Sequence, residues 1–195
     1  MVQIHLYRPF SVPHFSAAIP ATCKKIAVLD HSKEVGSVGE PVYLDVCTAL
    51  NQAGRTDIQI VGGRYGLSSK DTTPGQLIAV YDNLQKETPK NSFTIGINDD
   101  VTHTSLDYTE VEMAHPGQVS CKLWGLGGDG TVGANKNAIT TIGLTANKYA
   151  QAYFSYDSMK SGGLTQSHLR FGDEPIRSTY LVSAADFVAV HAPTY

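Results

Sequence analysis

The sequence predicts an α/β protein made of two consecutive segments, each with a largely parallel sheet. Apolar runs of strand length alternate with helical stretches in both halves, and the alternation restarts after a polar, loop-rich stretch that ends near residue 119. A third observation is a glycine-rich turn between a strand and a helix in the second half.

In the first segment, Val2 to Tyr7 alternates as a strand does and is stopped by Arg8-Pro9. Ser11 then reads as an N-cap, with Pro13 in the first turn of a short helix through Ala18. Lys24 to Asp30 is a basic-flanked apolar run, expected to be a central, parallel strand. His31 to Pro41 is polar and glycine-containing, hence loop, and Val42 to Ala53 is helical with Gly54 as its cap. Asp57 to Val61 reads as a strand entering Gly62-Gly63-Arg64-Tyr65-Gly66, and Thr73-Pro74 opens a helix to about Gln85. Phe93 to Ile97 is one more strand, and residues 98–119 are mostly loop.

The second segment starts with a strand at Ser120 to Trp124, followed by the glycine-rich turn and a helix from Thr131 to about Ile142. Strands are expected at Tyr149 to Tyr156, Leu164 to Phe171, Ser178 to Val182 and Asp186 to His191. Ala114-His115-Pro116-Gly117 reads as linker, giving domains 1–119 and 120–195. The second segment holds one clear βαβ unit and too little further chain to cover both faces of a parallel sheet, so the sequence reads as a piece of something longer.

Composition narrows the function. Fifteen basic and eighteen acidic residues leave a net charge of −3 without a basic patch, which removes a dedicated nucleic-acid binder. No apolar run is long enough for a membrane span, and the first residues lack a signal-peptide pattern. Cys23, Cys47 and Cys121 are far apart, without the spacing of a disulfide framework, zinc site or iron–sulfur cluster, which predicts a reducing, cytoplasmic setting.

Gly125-Leu126-Gly127-Gly128-Asp129-Gly130 matches GxGxxG between a strand and a helix, the context in which that pattern carries weight. Glycines allow a sharp turn and close ligand approach, and the helix start offers unpaired N–H groups to a phosphate. Thr131 is a candidate cap or phosphate contact. Lys160, on the polar loop Ser158 to Gly163 after the next strand, is expected beside the turn as a point charge. Asp129 is the awkward member, since its carboxylate repels a phosphate unless it caps the helix. Asp157, 27 residues beyond Gly130, stands where a dinucleotide site places an acid, but the preceding strand is polar for that role. Gly128-Asp129-Gly130 also resembles the start of a thiamine diphosphate motif, but its Asn-Asn end has no counterpart here.

Other features have plainer readings. Asn98 to His103 carries metal-ligand types, with turn and cap duty favoured. Arg64 to Ser69 is read as a packed turn. Adjacent Asp30-His31-Ser32 cannot take the orientations of a hydrolase triad. His168 and Arg170 share one strand face and are candidates for an anion or a neighbouring domain, and Cys121 reads as a small core residue.

The segments Leu6–Phe10, Lys25–Asp30, Gly62–Lys70, Gly96–Leu106, Gly130–Asn137 and Tyr156–Gly163 together resemble the pyruvate:ferredoxin (flavodoxin) oxidoreductases. The likeness runs end to end and covers an internal stretch of those large enzymes. His31 and Val35 depart from it, standing where the family pattern has Arg and Pro. The resemblance implies two Rossmann-like, transketolase-C-terminal-like parallel-sheet segments, the second incomplete. Residues 1–119 would be most of the second domain, and 120–195 the start of the third, a gamma-type domain that contacts coenzyme A. It further implies a homodimeric enzyme that oxidises pyruvate with coenzyme A to acetyl-CoA and CO2, using thiamine diphosphate and [4Fe–4S] clusters held by other domains. Ferredoxin or flavodoxin would be reduced, again through other domains. Carried to this sequence, the coenzyme A contacts are Gly128, Asp129, Gly130, Thr131, Val132 and Lys160, with no catalytic residue and no metal ligand. The competing readings are a stand-alone nucleotide- or CoA-binding module, a fragment of an NAD-dependent dehydrogenase, and an inactive remnant.

Overall fold

The computed structural model describes residues 1–99, 101–113, 115–159 and 161–193. They form two compact units, Met1–Val111 and Glu112–Tyr195.

The first unit is a parallel sheet with apolar clusters on both faces. Its strands β1 (Lys25–Asp30), β2 (Gln59–Arg64) and β3 (Phe93–Thr94) lie in the order β1-β2-β3, with Lys25 opposite Gln59 and Gly63 opposite Phe93. Helices α1 (Val12–Ala18), α2 (Pro41–Gln52) and α3 (Pro74–Gln85) complete it. Successive strand residues point to opposite faces, so Ile26 and Val28 join Val46, Leu50 and Ile58 while Ala27 and Leu29 join Val61, Val80, Phe93 and Ile95. This two-sided burial is why the β1 run is apolar almost throughout. Gly63 is required by packing: a Cβ there would lie 2.2 Å from the fully buried ring of Phe93.

Two expectations for this unit are corrected. Val2 to Tyr7 is not a strand, because no described strand pairs with it and most of its side chains stay exposed. β1 is parallel but forms an edge of the described sheet, and β2 is central.

The second unit holds β4 (Gln118–Leu126), α4 (Thr131–Thr145), β5 (Tyr149–Tyr156), β6 (Leu164–Gly172) and β7 (Phe187–Val190), with sheet order β5-β6-β4-β7. Here the parallel-sheet expectation fails. β6 is antiparallel to both β4 and β5, and only β7 runs parallel to β4. The cause is the 157–163 connection, which folds β5 back on β6 as a hairpin, with the Asp157 amide donating to Leu164 O at 3.0 Å. β4 and β5 keep the same direction but have β6 inserted between them. β5 lies at the edge of the sheet.

Ser178 to Val182 is not a strand either. Its backbone is held by side chains of the sheet instead: Gln151 Nε2 donates to Ser178 O, Arg170 to Tyr180 O, and the Val182 amide to His168 Nδ1. Among the described residues no helix is long and apolar enough to cross a membrane.

Candidate functional site

The glycine turn joins β4 to α4, whose first residue is Thr131. Gly128 and Gly130 have φ values of +93° and +87°, which side-chain-bearing residues avoid, and Gly130 is the N-cap, without a side chain to satisfy the helix start. Gly125 serves close packing: a Cβ on it would lie 2.5 Å from Thr131 Oγ1, so only glycine lets α4 begin this near β4. Gly127 is tied to the 157–163 loop twice, its amide donating to Gly163 O at 2.8 Å and its carbonyl accepting from the Gly162 amide at 2.9 Å.

Asp129 decides how much of the amide cradle stays open. Its carboxylate accepts from the Leu126 and Thr131 amides, both at 2.8 Å. Those two donors hold the exposed Asp129 carboxyl below its ordinary range. The amides of Gly128, Gly130 and Val132 have no acceptor among the described residues. The turn is thus part filled by its own carboxylate and part open.

Thr131 has a partner that its sequence neighbourhood does not show. It is buried, and its hydroxyl is hydrogen-bonded to Nδ1 of His191 at 2.8 Å. His191 was missed because 60 residues separate it from Thr131. It arrives there because β7 runs parallel beside β4, with the His191 amide continuing the ladder to Trp124 O. Two more polar groups lie on the helix-facing side of β6. Ser167 accepts a buried bond from Asn135 Nδ2 at 2.9 Å, and Thr165, opposite Gly125, has a buried hydroxyl without a partner among the described residues. The unpaired amides of the turn and the unpaired hydroxyl on β6 each suit a polar ligand or ordered water.

Lys160 lies outside the described residues. After it, Gly162 and Gly163 are bonded to Gly127, and before it the Asp157 amide donates to Leu164 O. Asp157 does not complete a dinucleotide site. That site needs the acid on the strand next to the glycine-turn strand, and β6 occupies that position.

The remaining candidates resolve into structural roles. Asp99 accepts from the amides of Val101, Thr102 and Thr104 and from two threonine hydroxyls, which hold its carboxyl far below its ordinary range, as turn duty requires. Asp100, beside it, is outside the described residues, as is Ala114 of the expected linker. Asp30 accepts from the Val42 and Tyr43 amides, while His31 Nε2 bonds Gly66 O at 2.6 Å, so the two side chains serve different partners and form no triad. Arg170 is buried and donates to Gln151 Oε1 and Tyr180 O, and His168 is buried against Val182, so neither faces an external anion. Burial raises the Cys121 thiol pKa, in keeping with a core residue.

Comparison with known proteins gives the chain's relatives. Residues 120–195 match the family described as pyruvate ferredoxin/flavodoxin oxidoreductase. The whole chain is 56% identical to the pyruvate:ferredoxin oxidoreductase of Moorella thermoacetica, over 17% of that protein. It is 56% identical, over 98% of its own length, to the pyruvate-flavodoxin oxidoreductase of Trichormus variabilis, covering 16% of it. The chain is related along its whole length to one stretch of the pyruvate:ferredoxin/flavodoxin oxidoreductases. It corresponds to about one sixth of those relatives' length, so further domains accompany this stretch in them. A mitochondrial pyruvate dehydrogenase [NADP(+)] of Euglena gracilis is 49% identical over the full chain and 11% of its own length. The NAD-dependent dehydrogenase alternative is not favoured.

Proposed function

We propose that this chain is the part of a pyruvate oxidoreductase that carries the phosphate-binding portion of its coenzyme A site. Residues 1–119 would be scaffold of transketolase-C-terminal type, and 120–195 the start of the coenzyme A-contacting domain. The observation that supports this reading is the cluster of open amides at Gly128, Gly130 and Val132, at the start of a 15-residue helix. A helix start contributes roughly 0.3–1 kcal/mol toward an anion at an exposed position. Lys160, two residues before Gly162, would add a full charge. Asp129 would hold the turn's shape while weakening the attraction for a phosphate.

The relatives' names support a division of labour. Proteins named for ferredoxin, flavodoxin and NADP share this stretch at 49–56% identity, so the choice of electron acceptor would rest on other parts of those proteins. Thiamine diphosphate and the [4Fe–4S] clusters would likewise be held elsewhere, with the dimer and the ferredoxin or flavodoxin contact formed by the complete cytoplasmic enzyme. This chain would orient coenzyme A for the acyl group made at the thiamine.

The test is coenzyme A binding by the intact enzyme carrying Lys160→Ala or Gly130→Val. Both substitutions are expected to weaken it, and parental affinity in both variants would refute the site. A companion expectation is that the 195-residue chain alone reduces no methyl viologen with pyruvate and coenzyme A; measurable reduction would contradict the assigned division of labour.

A further inference from the structure

We propose that a cavity at the carboxyl end of β2 is a binding site for a small monocarboxylate, gripped by Arg64. The cavity has a volume of about 170 Å³, and its lining includes Lys33, Glu40, Tyr43, Gly63 and Arg64. It lies where the chain leaving β1 loops back into α2 and where β2 ends, the edge of a parallel sheet at which α/β proteins take up ligands. It shares no residue with the turn before α4 and does not depend on the coenzyme A reading.

Arg64 has a side-chain exposure of 20%, and its Nε is buried. Its Nε lies 2.7 Å from Glu40 Oε1, close as a charge pair but not aligned as a hydrogen bond. Glu40 uses its other oxygen to accept the Glu34 amide at 2.6 Å, so both carboxylate oxygens are engaged. The two terminal nitrogens of Arg64 have no acceptor among the described residues. A guanidinium presents paired donors in a fixed fork, and that fork fits the two oxygens of a carboxylate.

Size and charge choose among anions. The volume falls below the roughly 300 Å³ at which sites for drug-sized ligands begin, so only a small ligand fits. The lining pairs two cations, Lys33 and Arg64, with two carboxylates, Glu34 and Glu40. A neutral lining favours a singly charged ligand over a phosphate dianion, which Glu34 and Glu40 would repel. The ring of Tyr43 adds apolar wall for a short tail.

The experiment is a residue-resolved NMR titration of the chain with propionate, and with inorganic phosphate in parallel. Propionate is expected to shift the amides of Gly62, Gly63 and Arg64 saturably, and phosphate to shift them less. Arg64→Lys keeps the charge but loses the fork, and is expected to weaken propionate by about tenfold, the value of one charge-assisted bond. Because Arg64→Gln alone would strand Glu40, a Glu40→Gln/Arg64→Gln double variant serves as a folded, non-binding form. Unchanged affinity in Arg64→Lys, shifts away from these amides, or a stronger response to phosphate would each overturn the proposal. Amides of the α4 turn are read separately, so failure here leaves the coenzyme A reading standing, and the reverse.

Discussion

Each unit sets an aspartate against the start of a helix that follows a strand, and the two arrangements have opposite consequences. At α2 the carboxylate comes from the end of β1: Asp30 is 2% exposed, and its two oxygens accept the Val42 and Tyr43 amides at 2.9 and 3.0 Å. At α4 it comes from the turn itself: Asp129 is exposed and takes one helix amide, that of Thr131, together with that of Leu126. The buried Asp30 has its pKa raised, because desolvation outweighs the two backbone bonds. The exposed Asp129 has its pKa lowered, because the same kind of bond acts with little desolvation against it. One helix start is closed by a buried group that belongs to the core. The other keeps open amides next to a carboxylate at the surface, which is the condition for meeting a ligand.

The largest expected effect comes from removing the buried carboxylate. Asp30→Ala leaves two amides at the start of α2 without acceptors and is expected to cost about 2–3 kcal/mol of first-unit stability, read from denaturant midpoints. A cost under about 0.5 kcal/mol would mean that water replaces Asp30 freely. Next comes Gly125→Ala, whose Cβ would press on Thr131 Oγ1 and push α4 off β4. It is expected to cost about 1–3 kcal/mol in the second unit and to weaken anion binding at the turn together with stability.

Smaller still is Asp129→Asn, which is expected to change stability by less than about 1 kcal/mol and to tighten coenzyme A binding by removing a repelling charge. The pH dependence separates the two aspartates. Asp129, with its lowered value, contributes stability that is present above the ordinary carboxylate range and lost as pH falls through its own pKa. Asp30, with its raised value, binds a proton in the native state before the unfolded chain does. Its contribution therefore grows as pH falls from its own pKa toward the ordinary range. Carboxyl carbon NMR titration should place Asp30 above the ordinary aspartate value and Asp129 below it; the reverse order would break the comparison.

Local signals in the sequence were enough for several elements. Thr73-Pro74 marked the start of α3, whose Thr73 side chain accepts the Gln76 amide, and α4 begins at Thr131 as the glycine turn predicts. β5 runs from Tyr149 to Tyr156, the expected bounds. Strand direction was not legible for β6, since a segment of strand length reads the same in a parallel or an antiparallel sheet. Partners distant in the chain were also hidden: nothing local ties Asp30 to Val42 or Thr131 to His191. The glycine turn was legible as a candidate site because its pattern is local, whereas the engagement of Asp129 with Leu126 and Thr131 required the three-dimensional turn.

The open α4 turn is tested most directly by following backbone amides while coenzyme A is added to the chain. The Gly128, Gly130 and Val132 amides should shift together and saturate, more strongly in Asp129→Asn, while those of Val42 and Tyr43, already held by Asp30, stay in place. Silent amides at the α4 turn, or a response confined to the start of α2, would contradict it.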